Sequence, residues 1–170
     1  MTVSTRTYGS KYDASLVLAE IAKRMRKDIA AAVKVGELPR GKYGVTISRF
    51  AGGQSIDISI KEVAIQVHPI ERLAFRRQKG AAAFWEGDLF TPEACALQKA
   101  LEAIMAAYNY NGSDIDRDHW DVRFYGHAAF SGDILTAEMT AYAAGPEDIT
   151  IEVAAAGPAP ADLALVRRAG

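Results

Sequence analysis

The stretch Tyr43-Gly-Val-Thr-Ile-Ser-Arg-Phe-Ala-Gly-Gly-Gln-Ser-Ile-Asp-Ile-Ser-Ile60 alternates apolar and polar residues on both sides of a glycine pair. An alternation with a period of two predicts β-strands, because successive side chains of a strand point to opposite faces. Gly52 and Gly53 suit a tight turn, since glycine reaches positive φ at little steric cost. The stretch therefore predicts a β-hairpin with one apolar and one polar face.

A helical pattern precedes this hairpin. Apolar residues between Leu18 and Val33 recur at spacings of three and four residues, which is typical of an amphipathic helix. Asp13 or Ser15 is expected to cap the start of the helix, and Gly36 is expected to end it in the left-handed conformation. The hairpin is followed by Glu71–Lys79, which is consistent with a short basic helix.

The second half of the chain suggests the same order again. Thr91-Pro92-Glu93 combines a capping hydroxyl, a first-turn proline and an early acid, which predicts a helix start. Residues 120–127 and 134–142 are then expected to pair around the turn Ser131-Gly132-Asp133 as a second hairpin. The prediction is an α+β fold in which two helices pack on a mainly antiparallel sheet, with the helix–hairpin order occurring twice.

The composition of the 170 residues predicts a globular chain with one domain-sized core. We expect a flexible N-terminus over residues 1–12, a single α+β domain over 13–154 and an Ala/Pro-rich tail over 155–170. The sequence has neither a signal-peptide pattern nor a long apolar run, so a cytoplasmic protein without a membrane segment is expected. Cys95, the only cysteine, excludes an intrachain disulfide and is interpreted as a half-buried core residue.

Charge is unevenly distributed along the chain. Residues 1–85 hold 15 Lys/Arg and 7 Asp/Glu, a balance of +8, whereas residues 86–170 hold 5 and 14, a balance of −9. Such asymmetry indicates a bipolar surface. It is compatible with a charged partner, with pairing of the two halves, or with an oligomer in which the halves of different copies meet.

The basic half supports a nucleic-acid-binding hypothesis. Several Lys and Arg residues with aromatic neighbours fall in three clusters, and cations of this kind bind phosphates. The candidate nucleic-acid-binding residues are Arg24, Lys27, Arg40, Lys42, Arg49, Arg72, Arg76, Arg77 and Lys79. The alternative is that these residues form a solvated helix face and ion pairs with the acidic half.

An acidic loop supplies a metal-binding alternative. Asp114, Asp116 and Asp118 alternate, with Asp121 close behind, and carboxylates at alternate positions are typical of Ca²⁺ loops. The spacing departs from an EF-hand, because His119 and Tyr125 stand where that loop needs Gly and Glu. The competing interpretation is that these aspartates hold the loop through hydrogen bonds to backbone amides. No cofactor is therefore expected, and a metal-dependent enzyme stays an alternative.

Two segments together resemble the large polyvalent protein-associated domains of phages and conjugative elements. The first combines Ile21-Ala-Lys-Arg-Met-Arg-Lys-Asp-Ile29 with Lys42–Ile56, and the second combines Asn109-Tyr-Asn-Gly-Ser-Asp114 with Asp118-His-Trp-Asp-Val-Arg-Phe-Tyr125. The resemblance covers roughly residues 15–130. It is altered at Gly44-Val45-Thr46 and leaves residues 70–90 unmatched. The motif residues, interpreted as structural, are Gly52, Gly53, Ser55, Ser113, Asp114, Asp118, Asp121, Phe124 and Tyr125.

The resemblance implies origin more than mechanism. Members of this family have no established enzymatic activity and look like accessory or binding modules of mobile elements. It therefore implies a non-enzymatic accessory protein that binds a host or phage macromolecule. A protein partner, such as a defence component, is the leading expectation, and nucleic acid is the alternative.

Overall fold

The computed structural model describes residues 6–114 and 120–144 of the chain. The strands are β1 (Thr7–Tyr8), β2 (Gly41–Phe50), β3 (Gly53–Val63), β4 (Tyr110–Asn111) and β5 (Ala128–Phe130). The helices are α1 (Leu18–Val35), α2 (Ile70–Lys79), α3 (Pro92–Ala107) and α4 (Gly132–Ala144). This arrangement confirms the predicted α+β class, and α4 is a helix that the sequence did not indicate.

The chain divides into two compact units. Unit 1 comprises Met1–Ile65 and Cys95–Ser131, and unit 2 comprises Gln66–Ala94 and Gly132–Gly170. The division falls within α3, after Ala94. Unit 1 contains a three-stranded sheet in the order β2-β3-β5 and a two-stranded sheet of β1 and β4. The expected C-terminal tail, residues 155–170, lies outside the described residues.

The hairpin predicted from Tyr43 to Ile60 is confirmed. β2 and β3 pair antiparallel, with Val45 opposite Ile58 and Ile47 opposite Ile56. Gly52 occupies the turn with a φ of 92°, a conformation that favours glycine. The apolar side chains of one face are buried in the core: Val45 of β2, and Ile56, Ile58 and Ile60, which alternate along β3.

The first predicted helix is α1, although it begins later than expected. It buries a single stripe and packs on β2; the buried residues are Leu18, Ile21, Ala22, Met25 and Ile29. The predicted cap is wrong: Val17 precedes the helix without a side-chain cap, and Asp13 instead accepts hydrogen bonds from the amide and hydroxyl of Ser15. A local Asx turn thus uses the capping oxygen before the helix starts. Gly36 ends the helix with a φ of 82°, as predicted.

The second predicted hairpin is wrong. Residues 125–130 pair with β3 in parallel, with Ser59 opposite Ala129, instead of pairing with residues 134–142. Residues 134–142 belong to α4, because this stretch is rich in helix-forming Ala, Leu, Glu and Met and lacks strict alternation. The helix–hairpin order therefore occurs once. The sheet is mainly antiparallel through β2 and β3, with one parallel edge.

Unit 2 contains α2, α4 and the residues that connect α2 to the start of α3. α2 and α4 are in contact, and the carboxylate of Glu138 on α4 accepts the backbone amides of Val67 and His68 at 2.6 and 3.1 Å. The same carboxylate lies 2.7 Å from His68 Nδ1, and both side chains are largely buried. Thr91 caps α3 by accepting the amide of Ala94, which confirms the predicted helix start.

The short N-terminal sheet ties residues 7–8 to the end of α3. Thr7 lies opposite Asn111 and Tyr8 opposite Tyr110. Within the expected flexible segment 1–12, residues 1–5 lie outside the described residues. None of the helices in the described ranges is long and apolar enough to cross a membrane.

Candidate nucleic-acid interface

One face of the three-stranded sheet in unit 1 is covered by helices and the other is open. α1 packs on β2, and Gln98 of α3 donates to the carbonyl of Ala128 in β5. The register places small and polar side chains together on the opposite side, which we call the open face. Its residues are Gly44, Thr46, Ser48 and Phe50 of β2, Gly53, Ser55, Asp57, Ser59 and Lys61 of β3, and Tyr125, His127 and Ala129 beside them. The polar side of the predicted hairpin thus forms a flat surface.

A hydrogen-bonded cluster lies at the centre of the open face. The Ser55 hydroxyl donates to Asp57 Oδ2 at 2.9 Å, and His127 Nδ1 lies 3.3 Å from Asp57 Oδ1. Both groups contact the carboxylate, whereas a nucleophilic triad needs a histidine between the serine and the acid. The cluster therefore has the chemistry of a hydrogen-bonding surface. The sequence did not indicate that Asp57 and His127 meet, because 70 residues separate them and the expected partner of residues 120–127 was different.

Two exposed aromatic rings stand at the hairpin end of the open face. Phe50 and Tyr125 are 52% and 39% exposed, and their ring centroids are 6.1 Å apart with 36° between the planes. A Cβ on Gly53 would lie 2.9 Å from an atom of each ring, so the missing side chain makes room for both. Gly53 and Tyr125 were interpreted as structural motif residues, and the structure brings them together with Phe50.

Basic side chains lie along α1 and along the adjoining edge strand β2. Arg26 donates to the carbonyl of Val45 at 2.5 Å, so this side of α1 adjoins the free edge of β2. Lys23 and Lys27 lie one helical turn apart on the same side. We call the following exposed residues the α1–β2 basic flank: Lys23, Arg26, Lys27, Lys34, Arg40, Lys42 and Arg49.

The basic flank is poorly neutralised. Lys42 lies 3.4 Å from Glu62, and Lys23 lies 3.8 Å from Glu20, both as exposed pairs. Within residues 6–114 and 120–144, no acidic side chain forms an ion pair with Lys27, Lys34, Arg40 or Arg49. No acid occurs between Arg40 and Phe50 in the sequence. The flank therefore carries a net positive potential.

The predicted nucleic-acid-binding residues fall into different places. Lys27, Arg40, Lys42 and Arg49 belong to the basic flank. Arg24 lies outside it, because it donates a hydrogen bond to Glu20 at 3.2 Å, whereas Lys23 lies 3.8 Å from that carboxylate. The other four, Arg72, Arg76, Arg77 and Lys79, lie on α2 in unit 2.

The cations of α2 are partly used within unit 2. Arg72 donates to the carbonyl of Leu89 at 2.6 Å, and burial lowers the pKa of its guanidinium. The guanidinium of Arg77 lies 6.0 Å from the centre of the Tyr142 ring. Arg76 also contributes to the lowered pKa of Arg72 by charge repulsion. In the described part of unit 2, 6 acidic residues outnumber 4 basic ones.

The motif between Asn109 and Tyr125 is held by local hydrogen bonds. Asn109 Oδ1 accepts the amides of Tyr110 and Arg123 at 3.0 Å, and its Nδ2 donates to the carbonyl of Phe124. Ser113 accepts the amide of Asp121 at 3.0 Å. Phe124 is buried. These contacts fix where the chain enters the sheet before Tyr125.

A tyrosine cluster covers this motif on the N-terminal side. The rings of Tyr8, Tyr12 and Tyr110 have centroids 4.9 to 6.0 Å apart. The guanidinium of Arg6 lies 4.8 Å from the Tyr110 ring and bonds both carboxylate oxygens of Asp121. Arg123 lies over Tyr12 and donates to the carbonyls of residues 13, 14 and 16. We refer to Tyr8, Tyr12 and Tyr110 as the tyrosine cluster.

The metal alternative rests largely outside the described residues. Asp116 and Asp118 are not described, and the described residues contain no group of three His, Cys, Asp or Glu that could hold a metal ion. Asp121, which follows Asp118 in the chain, is engaged with Arg6. Cys95 is exposed, so its interpretation as a half-buried core residue is wrong.

Comparison of the chain with protein-family models, curated proteins and solved structures finds no match to any of them.

Proposed function

We propose that the protein binds nucleic acid through the α1–β2 basic flank. The observation that carries this proposal is the row of exposed cations along α1 and the free edge of β2, in which Lys27, Lys34, Arg40 and Arg49 form no ion pair with the acids of the described ranges. Cations placed this way neutralise phosphates and release counterions, which makes binding strongly dependent on salt. The absence of acidic residues from Arg40 to Phe50 supports a polyanion as the partner.

Removal of three flank cations tests this proposal. The variant Lys27→Ala/Arg40→Ala/Arg49→Ala removes charges that no described acid neutralises, so the fold is expected to be unaffected. In a fluorescence anisotropy titration at several salt concentrations, we expect at least about tenfold weaker binding at low salt. The slope of log affinity against log salt should fall by roughly 2 to 3, because each lost phosphate contact contributes a little under one.

A matched control is available on α2. Arg76→Ala/Arg77→Ala/Lys79→Ala removes the same charge from unit 2 and should change the affinity much less. No binding by the unaltered protein at low salt would overturn the proposal. Equal losses in the two triple variants would show that overall charge, and not the flank, determines binding.

A second function, binding of a protein partner as an accessory protein of a phage or mobile element, is supported by the tyrosine cluster. Tyrosine and arginine are enriched among the residues that dominate protein interfaces, and Tyr8 is 56% exposed beside Arg6. With this function, Tyr8→Ala should weaken capture of a specific partner from a bacterial lysate. Phe84→Ala, at a ring that is 81% exposed in unit 2, is the control. The same partner captured equally well by both variants would argue against this surface.

A further inference from the structure

We infer that the nucleic acid bound by this protein is single-stranded and that its bases stack on Phe50 and Tyr125 at the open face. This inference rests on the proposed function, because the basic flank supplies the phosphate contacts. It adds a second surface with a different chemistry, and it specifies the form of the nucleic acid.

The rings of both Phe50 and Tyr125 are accessible to solvent. Phe50 and Tyr125 together present their rings at one end of an exposed sheet face. Large apolar rings are usually covered, whereas rings that stack bases must stay accessible. Gly53 keeps the space beneath both rings free of a side chain. The ring pair therefore offers a stacking surface supported by the most regular part of the sheet.

The open face around the rings carries short side chains. Side chains next to the rings are short: Ser48 precedes the ring of Phe50 along β2, and Ser55 lies beside Tyr125. Gly44 leaves room for the Ser59 hydroxyl and the Lys61 stem, which a Cβ would approach to 2.6 and 3.4 Å. A base can lie flat over such a surface and form hydrogen bonds with its hydroxyl groups.

The positive charges of the basic flank lie next to the open face. β2 is the edge strand of the sheet, so the basic flank borders the open face. A nucleic acid whose phosphates bind along the flank therefore has its bases beside the open face. Asp57, the acid on this face, lies on the middle strand, away from the β2 edge, and its carboxylate is bonded to Ser55 and His127. This separation keeps the acid at a distance from the phosphate path.

Exposed aromatic rings favour a single strand over a duplex. In a duplex the faces of the bases are stacked within the helix, so exposed rings on a flat sheet cannot reach them. In a single strand the faces are free, and stacking on aromatic side chains is favourable for every base. The charge complementarity of the flank and the accessible rings together point to a single strand.

The experiment compares single-stranded and duplex oligonucleotides of one sequence, as DNA and as RNA, by fluorescence anisotropy. We expect tighter binding of the single strand. Phe50→Ala and Tyr125→Ala should each weaken single-strand binding by about 5- to 150-fold, the range expected for one lost stacking contact. The salt slope should stay unchanged, because neither ring carries charge.

Two further variants separate stacking from general effects. Phe50→Tyr keeps an aromatic ring and should retain most of the affinity, which distinguishes stacking from a disturbed hairpin. Phe84→Ala removes an exposed ring of unit 2 and should leave binding unchanged.

The outcomes distinguish the two proposals. Equal affinity for duplex and single strand, with no effect of the Phe50 and Tyr125 variants, would overturn this inference and leave the proposed function standing. No binding of any oligonucleotide at low salt would overturn both.

Discussion

The replacement Gly126→Ala tests the parallel pairing that connects Tyr125 to the sheet. A Cβ at this position would lie 1.9 Å from the carbonyl oxygen of Ile56 and 2.9 Å from its carbonyl carbon. Ordinary carbon–oxygen contacts are about 3.3 Å or longer, so the two strands must separate by roughly 1.4 Å. Movement is restricted, because Ile56 is fully buried in β3.

The expected loss follows from the hydrogen bonds that this separation disturbs. Ile56 donates to the carbonyl of Tyr125 at 2.9 Å, and Ile58 donates to that of His127 at 3.0 Å. At about 0.5–1.5 kcal/mol each, their loss costs about 1–3 kcal/mol. Alanine also restricts the unfolded chain, which offsets about 0.4–1 kcal/mol. The free energy of unfolding should therefore fall by about 1–2 kcal/mol.

Urea denaturation with unchanged m-value measures this loss directly. Gly132→Ala is the matched control, because a Cβ at Gly132 meets nothing within 4 Å at the start of α4. That variant should be as stable as the unaltered protein or slightly more stable. If Gly126→Ala lost less than about 0.5 kcal/mol, the close parallel approach of residues 125–130 to β3 would be wrong.

Three further changes test other contacts. Glu138→Gln should lower the free energy of unfolding by about 1–3 kcal/mol, because glutamine keeps one acceptor oxygen and its amide nitrogen leaves one of the amides of residues 67 and 68 without an acceptor; in a thermal melt, the exposed control Glu86→Gln should have no effect. Thr91→Ala should cost about 1 kcal/mol through the lost cap of α3, whereas Thr91→Ser should retain most of the stability in urea denaturation. Burial and a hydrogen bond to Asp28 raise the pKa of Tyr108 to about 12 from 10.0. This contribution is complete below pH 10 and is lost as the pH rises towards 12, so the stability difference between the unaltered protein and Tyr108→Phe should shrink over that interval; a difference independent of pH there would contradict the raised pKa.

The candidate interface was only partly predictable. Lys27, Arg40, Lys42 and Arg49 were identified from charge alone, because clustered cations are visible in any sequence. Charge does not show which cations are already paired, so Arg24 was included although it bonds Glu20. The pairing of Asp57 with His127 was missed, since contacts across 70 residues leave no local signal.

The sequence by itself determined the elements whose pattern is local. The alternation around Gly52 specified the hairpin and its buried face, the spacing of three and four specified α1, and Thr91-Pro92 specified the start of α3. Such patterns depend on backbone geometry within a few residues, which the side chains encode directly.

Only the tertiary structure decided the partner of residues 125–130. Alternation places Phe124 and Tyr125 on opposite faces, but it applies equally to antiparallel pairing with residues 134–142 and to parallel pairing with β3. Helix propensity placed residues 134–142 in α4, which left β3 as the available edge. Because strand partners are selected by long-range packing, the open face and the ring pair of Phe50 and Tyr125 exist only in the folded chain.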